Sequence, residues 1–181
     1  VFSFNGNKII TTGGGGIIVT DDADLAARAK HITTTAKIPH EYEFLHDEIG
    51  YNYRLPSLNA ALGCAQMEQL PAMLKIKREI TGMYQDFFNK LGVQMAAPLP
   101  DCKSNNWLNT IILSDKSERN EFLHYTNSEG VMTRPIWRLM SELDMFKHCY
   151  HDGLDNARWL EERVVNIPSS VPDNIKGLTN A

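Results

Sequence analysis

The sequence VFSFNGNKIITTGGGGIIVTDD opens the chain as residues 1–22 and places one lysine, Lys8, between an apolar entry and four consecutive glycines. The β-branched residues 17–19 predict a short strand, because such residues favour extended backbone. The Thr-Asp-Asp run that follows is typical of a helix cap, so we expect a helix from Ala23 to about His31. The opening stretch therefore predicts a glycine turn, a strand and a helix in succession, which favours an α/β fold.

The glycines match neither of two common phosphate-binding motifs. A P-loop requires GxxxxGK followed by Ser or Thr, and no window of the chain supplies it. The dinucleotide fingerprint GxGxxG fails because Ile18 and Val19 occupy the positions that need the last glycine. Two interpretations of Lys8 remain open: a solvated cation beside a tight turn, or a nucleophilic amine that forms a Schiff base with an aldehyde cofactor whose phosphate binds near Ser3.

The middle of the chain predicts a folded loop and two helices. Residues 33–53 mix aromatic and charged side chains without helical or strand periodicity, which is typical of a long functional loop. Pro56 suits the first turn of a helix, and Pro71 is expected to interrupt it. The next helix, ending before Gly92, is predicted to cover a core with an apolar stripe made of Met73, Ile76, Ile80, Met83, Tyr84, Phe87, Phe88 and Leu91.

The last third of the chain alternates predicted strands and helices. We expect strands at 93–97, 107–113 and 131–133. Helices are expected at 116–129 and at about 154–164. This alternation predicts a small α/β domain, joined to the preceding one within the helix between Pro71 and Gly92.

Composition narrows the class of protein. The net charge of −4 comes from interspersed charges without a basic stripe, and the apolar runs are too short to span a bilayer, so we expect neither a nucleic-acid nor a membrane partner. Three separated cysteines without a CxxC pair favour a cytoplasmic protein without disulfides. His148 and His151 lack further ligands at convincing spacing, so we expect no metal site. The chain does not begin with methionine, and we expect it to be an internal piece of a longer protein.

Three segments, SFNGNKIITTGGGGIIVTDDADLAARAK, DEIGYNYRLPSLNAALGCAQMEQL and TRPIW, closely resemble the DegT/DnrJ/StrS family of pyridoxal-phosphate-dependent nucleotide-sugar aminotransferases. The resemblance implies an aspartate-aminotransferase-like, fold type I architecture. Residues 1–75 would form the C-terminal part of the large domain that binds pyridoxal phosphate (PLP), and residues 76–181 would form the small C-terminal α/β domain. The family's N-terminal half, with its aspartate and stacking ring for the cofactor, is expected to be absent from this chain.

The resemblance also implies roles for single residues near the cofactor. Lys8 would form the Schiff base with PLP and then act as the acid and base of amino transfer. Ser3 would bind the cofactor phosphate, and Asn52 would reach the phosphate in a neighbouring subunit, which implies a homodimer. Arg54 is a candidate contact for the donor carboxylate or the sugar nucleotide. Because dehydratases of the family carry histidine at the lysine position, Lys8 favours amino transfer.

The implied substrate is a keto-sugar nucleotide, with a UDP-linked 4-keto-6-deoxy sugar as the expected acceptor and glutamate as the expected donor. The product would serve cell-surface polysaccharide or glycan biosynthesis. Candidate substrate-binding residues are Arg134, Trp137 and His46, although Arg134 and Trp137 could equally form a surface patch and His46 could only anchor its loop. A non-catalytic sugar-nucleotide-binding or dimerisation module is the alternative, and the 181-residue chain alone is expected to be inactive.

Overall fold

The computed structural model describes residues 1–172 and divides the chain into two compact units, Val1–Pro71 and Ala72–Ala181. The first unit contains two small hairpins, a helix and the start of a long helix. The second contains the rest of that helix and a four-stranded sheet. In the part of the chain that is described, no helix is both long and apolar enough to cross a membrane.

The first unit opens with a hairpin. Strands β1 (Phe2–Ser3) and β2 (Gly16–Ile17) pair antiparallel, with Ser3 opposite Gly16. The strand predicted at 17–19 thus starts one residue earlier, at Gly16, and ends at Ile17. Helix α1 (Ala23–Thr33) begins where predicted, because the side chain of Asp22 accepts a hydrogen bond from the backbone N–H of Leu25 at 2.9 Å.

The predicted loop 33–53 contains a second hairpin, of strands β3 (Lys37–Ile38) and β4 (Leu45–His46). Both strands are two residues long, which is too short for an alternating pattern to be visible in the sequence. Apart from Thr33, which ends α1, and an isolated bridge between Thr34 and Asn52, the rest of this segment lacks helices and strands, as predicted.

The prediction that Pro71 interrupts a helix is wrong. Helix α2 (Ser57–Lys90) continues through it over 34 residues. A proline inside a helix lacks the N–H that would donate to the residue four positions earlier, here Met67, and its ring crowds that carbonyl, yet the residues on both sides of Pro71 stay helical. The boundary between the two compact units nevertheless falls directly after Pro71.

The second unit is built on an antiparallel sheet of order β5-β6-β8-β7. Its strands and helices are β5 (Gln94–Met95), β6 (Asn109–Ile112), α3 (Lys116–Ser128), β7 (Arg134–Pro135), α4 (Asp155–Glu161) and β8 (Val164–Ile167). The α/β prediction for this part of the chain is confirmed, with strands β5 and β6 and helix α3 inside or close to their predicted bounds.

Two boundaries in the second unit were predicted wrongly. The strand expected at 131–133 starts at Arg134, because the N–H of Val131 still closes α3 on the carbonyl of Thr126 at 2.8 Å. The helix expected at 154–164 ends at Glu161, and β8 begins at Val164. Strand β8 pairs with β6 over four residues, so sheet pairing rather than helical periodicity decides its conformation.

A cluster of five buried side chains forms the core of the second unit. Phe88 of α2 packs with Ile111 of β6 and with Leu113, which directly follows β6. It also packs with Val165 and Ile167 of β8. The apolar stripe predicted for α2 is only partly buried: Ile76 and Phe88 are inside, whereas Met83 is 72% exposed and Phe87 is 56% exposed. The prediction that the whole stripe covers a core is therefore wrong for these side chains.

A buried lysine of α2 ties this helix to two distant segments. Lys77 is 5% exposed, and its Nζ donates hydrogen bonds to the backbone carbonyls of Trp107 at 3.2 Å and Ser169 at 2.5 Å. Within residues 1–172 no carboxylate forms an ion pair with it. Desolvation by burial lowers the pKa of Lys77 below its usual value, because burial disfavours the charged amine.

The lowered pKa of Lys77 predicts a pH-dependent contribution to stability. Between the folded-state pKa and the unfolded value of 10.5, the unfolded chain binds one proton more than the folded chain. The free energy of unfolding of the wild type, relative to Lys77→Met, should therefore rise with pH in this window, by at most about 1.4 kcal/mol per pH unit. Urea unfolding of the wild type and of Lys77→Met at pH 8 and pH 10 measures this difference in the free energy of unfolding.

Lys75→Met is the matched control, since Lys75 lies on the same helix with an exposed side chain. A difference between wild type and Lys77→Met that stays constant over this pH range, or that Lys75→Met reproduces, would contradict the assignment.

Candidate functional site

Lys8 closes a tight turn at the tip of the first hairpin. The N–H of Lys8 donates to the carbonyl of Asn5 at 3.0 Å, and the N–H of Asn5 donates to the hydroxyl of Ser3 at 3.3 Å. The Lys8 side chain is half-buried, while Ser3 is exposed. Ser3 and Lys8, five residues apart, thus lie in one compact turn, in which Asn5 is hydrogen-bonded to both.

The glycine run shapes this hairpin. A Cβ atom on Gly16 would lie 2.6 Å from the carbonyl oxygen of Phe2, so only glycine allows the two strands to approach. Gly15 has φ +90° and accepts a hydrogen bond from the N–H of Phe4 at 3.0 Å. The glycines therefore form a tight turn that enters a strand, which is compatible with both interpretations of Lys8.

Side chains of α2 fix the segment that follows Lys8. The amide of Asn59 donates to the carbonyl of Thr12 at 2.6 Å, and the amide oxygen of Gln66 accepts from the N–H of Thr11 at 3.2 Å. Between them, Gly63 leaves room for Thr12, whose methyl carbon would lie 3.0 Å from a Cβ at that position. Sequence reasoning missed these contacts, although the 59, 63 and 66 spacing places the three residues on one helix face.

A mainly apolar cavity of about 440 Å³ lies between this segment and α2. Ile10, Leu55 and Met67 line it, together with the thiol-bearing Cys64. It belongs wholly to the first unit.

The segment that carries Asn52 is hydrogen-bonded through its backbone to the end of α1. The N–H groups of Tyr51 and Tyr53 donate to the carbonyls of Ile32 and Thr33 at 2.7 and 2.9 Å. Gly50 makes the approach possible, because a Cβ there would lie 2.4 Å from backbone atoms of residues 35 and 36. The backbone around Asn52 is therefore held firmly.

The side chains of Asn52 and Arg54 are exposed and have no hydrogen-bond or ion-pair partner among residues 1–172. Tyr51 and Tyr53, which alternate with them, stack on each other with ring centroids 5.1 Å apart. Asn52 and Arg54 are thus presented on a paired backbone with their polar groups available for a ligand.

Two ion pairs fasten the second hairpin to α1. Arg28 binds Glu48 with both guanidinium arms, the second at 2.7 Å, and His31 Nε2 lies 2.7 Å from Asp47 Oδ1. The hydrogen bond from Arg28 lowers the pKa of Glu48, and the one from His31 lowers the pKa of Asp47. The sequence did not reveal these contacts, because they join residues 16 and 20 positions apart.

The atoms of His31, Asp47 and Glu48 that could bind a metal lie within 4.8 Å of one another. Arg28 already binds Glu48 and His31 is hydrogen-bonded to Asp47, so we interpret this group as a hydrogen-bond and ion-pair network.

His46 anchors its loop, which was one of its two predicted roles. Its Nδ1 lies 2.7 Å from the carbonyl oxygen of Thr35, at the point where the loop leaves α1. A role in substrate binding stays a prediction.

Arg134 and Trp137 lie in the second unit. Arg134 donates to the side-chain oxygen of Asn127 at 3.1 Å and to the carbonyl of Thr133 at 3.0 Å. Trp137 is 65% exposed and stacks on Trp107, with ring centroids 6.3 Å apart. Each residue thus has structural contacts of its own, and its predicted substrate contact stays a prediction.

The second unit also contains a cavity of about 360 Å³, whose lining residues include Leu139, Phe146, Cys149 and His151. The hydroxyl of Ser141, also in its wall, is buried and has no hydrogen-bond partner in the described chain.

The sequence is similar to curated proteins about twice its length. It is 35% identical over 170 residues to GDP-perosamine synthase of Escherichia coli O157:H7, a match that covers 93% of this chain and 45% of that protein. The chain thus spans about half the length of the relatives it matches.

Two solved structures share the fold. Helicobacter pylori PseC, an aminotransferase involved in the biosynthesis of pseudoaminic acid, superposes with a TM-score of 0.88 at 23% identity, covering 99% of this chain and 50% of that one. A Streptococcus pneumoniae protein solved in a PLP form superposes with a TM-score of 0.82 at 19% identity, covering 98% of this chain and 48% of that one. The predicted fold class, an α/β portion of the fold type I architecture, is confirmed.

The family comparison covers almost the whole chain. The model of the DegT/DnrJ/EryC1/StrS aminotransferase family matches residues 1–173, which include the Lys8 turn, the Asn52 segment and the sheet of the second unit. The chain therefore belongs to the DegT/DnrJ/EryC1/StrS aminotransferase family.

Proposed function

We propose that the protein containing this chain is a PLP-dependent aminotransferase that transfers an amino group, with glutamate as donor, to a keto-sugar nucleotide. The observation that carries the proposal is the turn that links the Ser3 hydroxyl to the half-buried Lys8 through Asn5. Membership of an aminotransferase family supports it.

The residues on this hairpin suit PLP. An amine is needed to hold the aldehyde of the cofactor, and Lys8 supplies one on a fixed turn. A hydroxyl is a suitable donor to the phosphate, and Ser3 supplies one at the exposed end of β1. When bound, PLP supplies an electron sink for amino transfer. The Nζ of Lys8 would carry the proton to and from the substrate carbon.

The Asn52 segment supports a shared site in a homodimer. Its backbone is paired to α1, yet the amide of Asn52 and the guanidinium of Arg54 form no hydrogen bond or ion pair among the described residues. We propose that Asn52 donates to the cofactor phosphate of a second subunit, and that Arg54 binds a carboxylate or phosphate of the substrate. Arg134, Trp137 and His46 are proposed as further substrate contacts.

The proposed acceptor is a nucleotide-linked 4-keto-6-deoxy sugar for polysaccharide biosynthesis. The family resemblance favours UDP as the nucleotide, whereas the E. coli relative is named for a GDP sugar. A cytoplasmic location, expected from the separated cysteines, stays part of the proposal.

Lys8→Ala in the whole protein should remove the visible absorbance of the Schiff base between PLP and the protein and lower turnover by a factor of about 100 to 10,000, as expected for loss of a positioned acid-base group. Absorbance spectra and steady-state assays measure both effects. Lys30→Ala, an exposed lysine on α1, is the control and should behave as wild type.

Borohydride reduction followed by peptide mapping tests the residue directly. The pyridoxyl label should lie on Lys8, and a label on another lysine would refute the assignment. The 181-residue chain alone should show no turnover, and activity of that chain would support a complete site within it.

Asn52→Ala should weaken PLP binding in the whole protein by roughly 1.5 to 3 kcal/mol, the contribution of one hydrogen bond to a charged group. Equilibrium dialysis of PLP measures the change. Asn89→Ala, an exposed asparagine of α2, should have no effect. Unchanged PLP affinity in Asn52→Ala, or a fully active monomer in sedimentation, would exclude the shared site.

Incubation with glutamate and either a UDP-linked or a GDP-linked 4-keto-6-deoxy sugar should yield the amino sugar and one equivalent of 2-oxoglutarate. We expect the UDP sugar to give the higher kcat/KM. A higher value for the GDP sugar would correct the nucleotide, and conversion of neither would contradict the proposed acceptor class.

A further inference from the structure

The loop that carries Lys8 is closed at its base by a single carbonyl group. The carbonyl oxygen of Phe4 accepts hydrogen bonds from the N–H of Thr12 and from the hydroxyl of Thr11, both at 3.0 Å. The closed loop, residues 5–10, includes Lys8. The position of Lys8 therefore depends on where Thr11 and Thr12 are held.

Two amide side chains of α2 hold this base, one as a donor and the other as an acceptor. Asn59 Nδ2 donates to the carbonyl of Thr12 at 2.6 Å, and Gln66 Oε1 accepts from the N–H of Thr11 at 3.2 Å. The partners fix the orientation of each amide, because a carbonyl can only accept and a backbone N–H can only donate. We call Asn59 and Gln66 the amide clamp.

The amide clamp lies where water has limited access. Both of its side chains are half-buried, and Thr12 is only 2% exposed. Gly63, between the two on the same helix, leaves the space that the methyl carbon of Thr12 needs. Removing one partner of a hydrogen bond in such surroundings leaves the other polar group unpaired, which costs more than the loss of an exposed contact.

We propose that Asn59 and Gln66 are positioning residues for Lys8, which act through the base of its loop and not by contact with a ligand. The inference rests on the proposed function, in which Lys8 holds the aldehyde of PLP. An amine that is fixed in a productive geometry reacts with a bound aldehyde far more readily than one that moves freely. Loss of one clamp contact should therefore lower the share of bound PLP that is attached to Lys8.

The opposite roles of the two amides provide matched variants. Gln66→Glu keeps an acceptor oxygen for the N–H of Thr11, whereas Gln66→Met has a similar length and lacks this oxygen. Asn59→Asp keeps the shape of the side chain but loses the donor and brings a carboxylate oxygen to the carbonyl of Thr12. Gln69→Met is the control, since Gln69 is exposed on the same helix outside the clamp.

Hydrogen exchange of the whole protein without PLP tests the clamp by itself. In Gln66→Met the amide of Thr11 should exchange about tenfold faster or more, because it loses its acceptor. Gln66→Glu and Gln69→Met should exchange at the wild-type rate. Mass spectrometry of the peptide that contains residues 11–13 measures the rates. This result does not depend on amino transfer, so it separates failure of the clamp from failure of the proposed function.

PLP binding and kinetics then test the positioning role. Equilibrium dialysis gives the total PLP bound, and visible absorbance gives the share attached to Lys8. In Gln66→Met and Asn59→Asp this share should fall, and kcat should fall by about 10- to 100-fold, the range expected for a small displacement of a reacting group. The KM for donor and acceptor should stay at the wild-type value. Gln66→Glu should retain both the attachment and kcat.

Three results would overturn the inference. The first is wild-type exchange at Thr11 in Gln66→Met. The second is an equal loss of kcat in Gln66→Glu and Gln66→Met, since the acceptor oxygen would then not be the property that matters. The third is faster exchange in Gln66→Met with wild-type attachment and kcat, which would leave the clamp a purely structural contact. A wild type that attaches no PLP to Lys8 would overturn the proposed function and the positioning role with it, while the exchange rates would still show whether the clamp forms.

Discussion

The close approach of Phe2 to Gly16 is the contact on which the lysine end of the chain depends. A carbonyl oxygen lies where any other residue would carry its Cβ atom, so β1 and β2 can pair only across a glycine. Because this pairing fixes both ends of the hairpin, it also fixes the tip that holds Ser3 and Lys8. The positions of the Lys8 amine and the Ser3 hydroxyl therefore depend on Gly16, 13 residues after Ser3, having no side chain.

Local signals predicted local structure well. The capping carboxylates Asp22 and Asp115 mark the starts of α1 and α3, where the side chain of each accepts backbone N–H donors. Strand β8 was not predicted, and the helix expected at 154–164 included its first residue, Val164, because four residues are too few to show a period and only pairing with β6 makes them a strand. The candidate site followed from family resemblance rather than periodicity. Its supports, Asn59 and Gln66, could not be predicted, since their partners lie 47 and 55 residues away.

The segment around Asn52 combines a hydrogen-bonded backbone with two side chains, Asn52 and Arg54, that form no hydrogen bond or ion pair among the described residues. The backbone of the segment around Asn52 is hydrogen-bonded to α1. The contacts of Arg28 with Glu48 and of His31 with Asp47 hold the neighbouring hairpin. The side chains of Asn52 and Arg54, which are proposed to meet a ligand, have no hydrogen-bond or ion-pair partner among the described residues. An arrangement of this kind limits the conformational entropy lost on binding, because the backbone is ordered before the ligand arrives.

The three cysteines, all exposed and free of disulfides, lie in the walls of three different cavities: Cys64 beside the Lys8 hairpin, Cys102 beside Arg78, and Cys149 next to Ser141. Each cavity thus carries a native chemical reporter. A ligand that fills one cavity shields one thiol and leaves the other two open to alkylation, so a single mass spectrum of the labelled protein can locate an occupant without any engineered probe.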